Sequence, residues 1–140
     1  MDYQLMFSAV GIAAMLGWLT LVISPLMPVW SDRIAGMIVP FGLSVSYLVL
    51  MVLFPADKGG FGTFAEVVEL FTHPTSVMMG WVHFLAFDLL VGAWICRIAR
   101  REHIKFWFVL PCLPVTFMFG PLGFLLFSAV RGVQAVAKKS

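Results

Sequence analysis

His73-Pro74-Thr75-Ser76-Val77-Met78-Met79-Gly80-Trp81-Val82-His83-Phe84-Leu85-Ala86-Phe87-Asp88 sets two histidines and an aspartate in or beside an otherwise apolar stretch. The stretch decides the fold because its apolar run continues to Ala99, and about 20 such residues let a helix cross a bilayer core. Inside a span, an ionisable side chain costs roughly 2.5–3.5 kcal/mol even on lenient insertion scales. A sequence that keeps His83 and Asp88 there is expected to use them.

Working outward, the composition agrees. Of 140 residues, 61% are hydrophobic and 11% charged, and mean hydropathy is +1.00, which excludes an ordinary soluble domain and indicates an integral membrane protein. The length suits a single membrane domain over residues 1–140. A net charge of +2 makes no case for nucleic acid, since the basic residues gather at span ends. Cys96 and Cys112 are too sparse for a disulfide framework and show no metal-type spacing. They are expected to be reduced if their side of the membrane is cytosolic. Met1-Asp2-Tyr3-Gln4 lacks the positive region of a signal peptide, so the first apolar segment is expected to remain as a span.

The pattern predicts an all-α polytopic bundle of four transmembrane spans, at about 5–27, 34–54, 75–99 and 104–130. Pro111, Pro114 and Gly120-Pro121 interrupt the fourth, which is expected to bend near each, because proline removes a backbone donor and kinks a helix. The long connection 55–74 holds a further element. Thr63 followed by Glu66 fits a capping box, and Phe64, Val67, Val68 and Phe71 share one face. A short amphipathic interfacial helix is therefore expected at about 63–72. Arg97, Arg100, Arg101 and Lys105 mark the connection 97–105 as cytoplasmic by the positive-inside rule. Arg131, Lys138 and Lys139 would then lie outside if the fourth span crosses completely, so two signals conflict; four cations beside two span ends outweigh three.

His83 and Asp88 stand five residues apart, which places them about 140° apart around a helix. They are no direct pair, yet both can border one cavity if the third span is central. Glu66, Glu69, His73, His83 and Asp88 form a wider set of imidazoles and carboxylates of the kind that holds non-haem iron. Their spacing matches no established metal motif, and a solvated face explains Glu66 and Glu69 more simply. The aromatics crowd the third and fourth spans, where Phe84, Phe87, Phe117 and Phe119 could line a groove for a flat, long, apolar ligand. Lipid-facing packing explains them equally well.

Gly80-Trp81-Val82-His83-Phe84-Leu85-Ala86-Phe87-Asp88-Leu89-Leu90-Val91-Gly92 resembles the tryptophan-x-histidine and aspartate-leucine core of the plant neoxanthin-synthesis membrane proteins named for abscisic acid deficiency. Phe119-Gly120-Pro121-Leu122-Gly123-Phe124-Leu125-Leu126 is similar to that family's last-span segment, and His73-Pro74 also recurs in it. The resemblance covers essentially the whole chain. It implies a small polytopic protein acting on carotenoids, by isomerising a xanthophyll epoxide to an allene or by cleaving a carotene to retinal. The lack of a transit peptide fits a bacterial member, in the inner membrane. Carried over by residue, it points to Trp81, His83 and Asp88, then Pro121 and Gly123, without assigning roles. His83 and Asp88 are thus the candidate catalytic pair, one as acid and one as base. Trp81, Phe84, Phe87, Phe117, Phe119, Pro121 and Gly123 are the candidate ligand contacts. Cleavage would require iron on His73 and His83 with a carboxylate; isomerisation would not. Expected partners are a carotenoid or similar apolar lipid, membrane lipids and no nucleic acid, with a homo-oligomer left open. A non-catalytic carotenoid- or lipid-binding accessory is the rival reading, and a transporter subunit the weaker one.

Overall fold

Asp2 starts the first helix: its carboxylate accepts the Leu5 N–H at 3.0 Å, a side-chain N-cap for α1, Tyr3–Val22. The computed structural model describes residues 2–137, and every regular element among them is helical. Helix α2 covers Pro28–Leu53. It starts well before Ile34 and takes in Asp32 and Arg33, because Pro28 at the first helical position has its φ preset. A π turn at Ile34–Ile38 precedes Pro40, so the helix continues past a residue with no N–H to give. Helix α3, Phe64–Leu70, is short and has no buried residue. Helix α4 is Pro74–Arg101, α5 is Phe106–Met118 with a turn at Leu110 and Pro111, and α6 is Gly120–Ala137. Four of these, α1, α2, α4 and α6, are long and apolar enough to cross a bilayer.

The centre is α4, the most buried helix, and every other long helix packs on it. Helix α1 runs parallel to it. Tyr3 Oη and Thr75 Oγ1 are 2.7 Å apart at one end, Phe7 stacks on Trp81 at 5.1 Å, and Trp18 and Leu21 close on Gly92 further along. Helix α2 runs antiparallel: Asp32 meets Arg97 at the far end, and Tyr47 lies beside His83 on the way back. Lipid tails are as apolar as the helices, so contact comes from close fit rather than from escape from water. Small residues provide it. A Cβ on Gly92 would lie 2.8 Å from Leu21 Cδ1 and from Trp18 Cη2.

The fourth apolar segment turns back. Phe119 leaves the helical region (φ −145°, ψ 66°), and α6 begins at Gly120 against the carboxylate of Asp88, midway along α4. From there α6 follows α4 in the same direction. Phe124 and Phe127 meet Trp94 at 5.5 and 5.8 Å, and Arg131 pairs with Glu102. Helices α5 and α6 therefore form a hairpin that enters and leaves at the end carrying Arg97, Arg100, Arg101 and Lys105. The expected bends exist, but Gly120-Pro121 reverses the chain where a single bent crossing was expected. Gly123 permits this, since its missing Cβ is where α6 meets the backbone of Thr116. The conflict over Arg131 disappears, because it lies with the basic connection. Lys138 and Lys139 fall outside the described residues.

Two outcomes follow from this architecture. Cysteines placed singly at Asp2, His103 and Ala135 should label from opposite faces of a sealed vesicle. Position 2 should react from one face, 103 and 135 from the other; labelling of 2 and 135 from the same face would contradict the hairpin. Gly92→Val should destabilise the detergent-solubilised protein by about 1–3 kcal/mol, the usual cost of overpacking, read as a fall in melting temperature.

Candidate functional site

The hairpin stops at Asp88, so the half of α4 beyond it has one face uncovered. On that half, Trp81, His83 and Phe87 are exposed, whereas Asp88 and Leu89 are buried. Two clefts meet there. One, of about 860 Å³, runs between α1 and α4 and is lined by Tyr3, Phe7, Phe71, Trp81, His83 and Phe84. The other, of about 420 Å³, lies between α2, α4 and the α3 segment and is lined by Tyr47, Met51, Phe71, Ser76, Met79 and His83. His83 and Gly80 belong to both. Gly80 keeps the passage narrow but open: a Cβ there would come within 3.0 Å of the Phe71 ring.

The aromatic packing is continuous. Trp81 stacks between Phe7 and Phe84 at 5.1 and 5.7 Å, and Phe87 stacks on the His83 imidazole at 4.6 Å. The Tyr47 ring is 6.2 Å from His83 across the second cleft. Stacking on Phe87 fixes the imidazole plane, and the ring lines both clefts, where an imidazole can exchange a proton or a hydrogen bond with a bound molecule. Whereas the Tyr3 hydroxyl of the larger cleft is paired with Thr75, Tyr47 brings a phenol to the smaller cleft beside His83. Its position within an apolar run, with no partner in the spacing, gave no sign in the sequence; the one available signal was that the chain has only two tyrosines.

Above this site sits the α3 segment. Thr63 Oγ1 accepts the Glu66 N–H at 3.2 Å, as the capping pattern requires, but the Glu66 carboxylate reaches back to Gly62 N at 3.0 Å rather than to Thr63. Gly59, at φ 84°, turns the preceding chain beneath α3. Phe64 and Val68 are exposed, as an interfacial helix with its apolar face toward lipid would have them.

Several expected site residues fall elsewhere. Asp88 lines neither cleft. It is only 8% exposed and abuts Gly120, and its Oδ2 has no hydrogen-bond partner among the described residues. The separation of about 140° around α4 therefore sends His83 to the clefts and Asp88 to the hairpin, and they do not share a cavity. Phe117 makes an edge contact with Trp18 and lines a separate groove of about 330 Å³ near the basic end. Phe119 and Pro121 are exposed at the turn, and Gly123 is buried within the hairpin. Those three shape the reversal rather than the clefts.

The imidazole–carboxylate set is not assembled. No three His, Cys, Asp or Glu side chains converge on a metal position among the described residues. His73 Nδ1 accepts the Thr75 N–H at 3.3 Å as the N-cap of α4, Glu66 is bonded to Gly62, and Asp88 faces the hairpin. Backbone capping and distance disperse these donors, so they do not fit an iron site of histidines and a carboxylate.

Asp88 abuts Gly120 at the N-terminal end of α6, where the helix dipole favours a negative group, while the Leu122 and Gly123 N–H groups donate to Phe119 O. Asp88→Leu should loosen the hairpin and lower the melting temperature by several degrees, while Asp88→Asn, which keeps the shape, should lower it less. Equal melting of all three proteins would remove Asp88 from the hairpin's support.

Residues 5–127 match the family model ABA4-like, described as ABA DEFICIENT 4-like. No curated protein and no solved structure matches the chain.

Proposed function

As the chain belongs to the ABA DEFICIENT 4-like family, we propose that it is an integral membrane protein of carotenoid metabolism whose substrate end group lies at His83. The observation that carries this reading is the pair of aromatic-lined clefts meeting at His83, on the half of α4 that the hairpin leaves open. The basic connection 97–105 faces the cytoplasm, in keeping with the positive-inside rule, so the clefts open toward the opposite leaflet.

The ligand's length also finds room. Tyr3, Phe7, Gly11, Met15 and Trp18 recur at helical spacing on one face of α1. Tyr3 and Phe7 line the larger cleft, while Met15 and Trp18 line the Phe117 groove. Gly11 stands between them with nothing within 4 Å of where a Cβ would lie. A long apolar chain laid along this face would run from the His83 clefts toward the basic end.

For an epoxide end group, the chemistry is an isomerisation. Tyr47 gives a proton to the epoxide oxygen as its C–O bond opens, and His83 takes a proton from the adjoining polyene as the electron pair moves to form the allene. Protons balance and no oxidant is consumed. His83→Gln should cut product formation at least tenfold in pigment-producing cells while leaving melting and co-purified pigment nearly unchanged. Gly11→Trp should instead abolish co-purified pigment. If His83→Gln leaves product intact but Gly11→Trp removes pigment, the protein carries carotenoid without transforming it. Full pigment content in Gly11→Trp would sink the binding path along α1.

A further inference from the structure

A further cavity, of about 680 Å³, lies at the basic end between the α4–α5 connection and the last turns of α6. Arg101, Glu102, His103, Arg131 and Gln134 are among its lining residues. The charges there are unevenly satisfied. Arg131 Nε donates to Glu102 Oε2 at 2.9 Å, its Nη2 donates to the other oxygen, and its guanidinium sits 5.9 Å from the Trp94 ring. The Arg131 cation is thereby held by the Glu102 carboxylate. Arg101 is exposed and has no partner among the described residues, so it supplies the cavity's uncompensated positive charge.

His103 adds an unusual feature. Helix α4 ends with Ile104 N bonded to Ala99 O at 2.9 Å and His103 N to Arg100 O at 3.3 Å. This is a Schellman close, which normally puts glycine at the residue His103 occupies. The φ of 55° confirms the left-handed backbone. Holding a side chain in that region costs about 1–2 kcal/mol relative to glycine. The strain places an imidazole in the cavity wall next to Arg101.

We propose that this cavity binds a phosphate group, with the Arg101 guanidinium, the His103 ring N–H and the Gln134 amide donating to its oxygens. Arginine's planar fork suits two oxygens of one phosphate, and charge-assisted bonds of this type are about twice as strong as neutral ones. The cavity lies at a span end, the depth at which a bilayer holds its phosphates. A bound phosphate would join the α4–α5 connection to α6 and brace the base of the hairpin. Its source is a phospholipid headgroup or a soluble phosphate, and the chemistry of the contacts is the same for both. The site is separate from the His83 clefts and does not depend on their reading.

The test is melting of the full chain in uncharged detergent with phosphatidic acid, with diacylglycerol of the same acyl chains, or with inorganic phosphate. Phosphatidic acid should raise the melting temperature by several degrees where diacylglycerol does not, and native mass spectrometry should retain one bound molecule. A shift with inorganic phosphate alone, at similar concentration, would assign the site to a soluble ligand. Arg101→Gln combined with His103→Gln should weaken the response at least tenfold in concentration. His103→Gly relaxes the backbone, so it should raise basal stability while weakening the phosphate response, which separates binding from folding. An equal response to diacylglycerol, or an undiminished response in both variants, would overturn the proposal.

Discussion

The chain reverses direction in the middle of an apolar slab, and a reversal there is acceptable only if the exposed backbone groups are enclosed by protein. Here Phe119 O accepts the Leu122 and Gly123 N–H groups, and Gly120 is buried against Asp88. The carboxylate lies at the start of α6, and the glycine's missing side chain allows the approach. Everything distinctive in the molecule follows from this contact. It sets the depth at which α5 and α6 stop, and it keeps Asp88 away from the clefts. It also leaves the far half of α4 open on one side, with His83 and its stacked neighbours as the lining.

Asp88 also shows why an ionisable group in a membrane helix is an ambiguous sign. Its carboxylate abuts the start of α6, where the helix dipole favours negative charge, a place in the fold independent of any substrate. His83 is the opposite case. No hydrogen bond ties it among the described residues, and the Phe87 and Tyr47 rings lie beside it. Two residues expected as halves of one catalytic pair therefore part, Asp88 to the hairpin and His83 to the clefts, about 140° apart around α4.

Much of this fold was legible in the residue pattern because membrane spans leave a strong signature: long apolar runs, breaks at proline, and cations at the ends. The cap at Thr63 and the breaks near Pro111 and Gly120 were visible for the same reason, as local chemistry fixes them. The direction of the chain after Phe119 was not. A Gly-Pro pair says that a helix stops, while the angle at which the next begins depends on Thr116 packing against Gly123 and on Asp88, contacts made through the fold. The same limit hid Tyr47. Its closeness to His83 comes from the antiparallel register of α2 on α4, which Asp32 and Arg97 hold at the other end with contacts of 2.9 and 2.7 Å. The aromatic set divides for a related reason: periodicity places Phe84 and Phe117 on apolar faces, but the fold sends Phe84 to the larger cleft and Phe117 to a separate groove.

The hairpin bears on how the protein is made. Since α5 and α6 return to the end from which they depart, the proposed cytoplasmic placement of the basic connection means that no charged residue that follows Asp88 in the described chain has to be carried across the bilayer. The only hydrophilic stretch needing translocation after α1 is the connection that contains α3, which holds a single lysine, Lys58. A translocon would therefore have finished all polar transfer once α4 is threaded, and the last third of the molecule could enter from its own side by docking against a helix already in place.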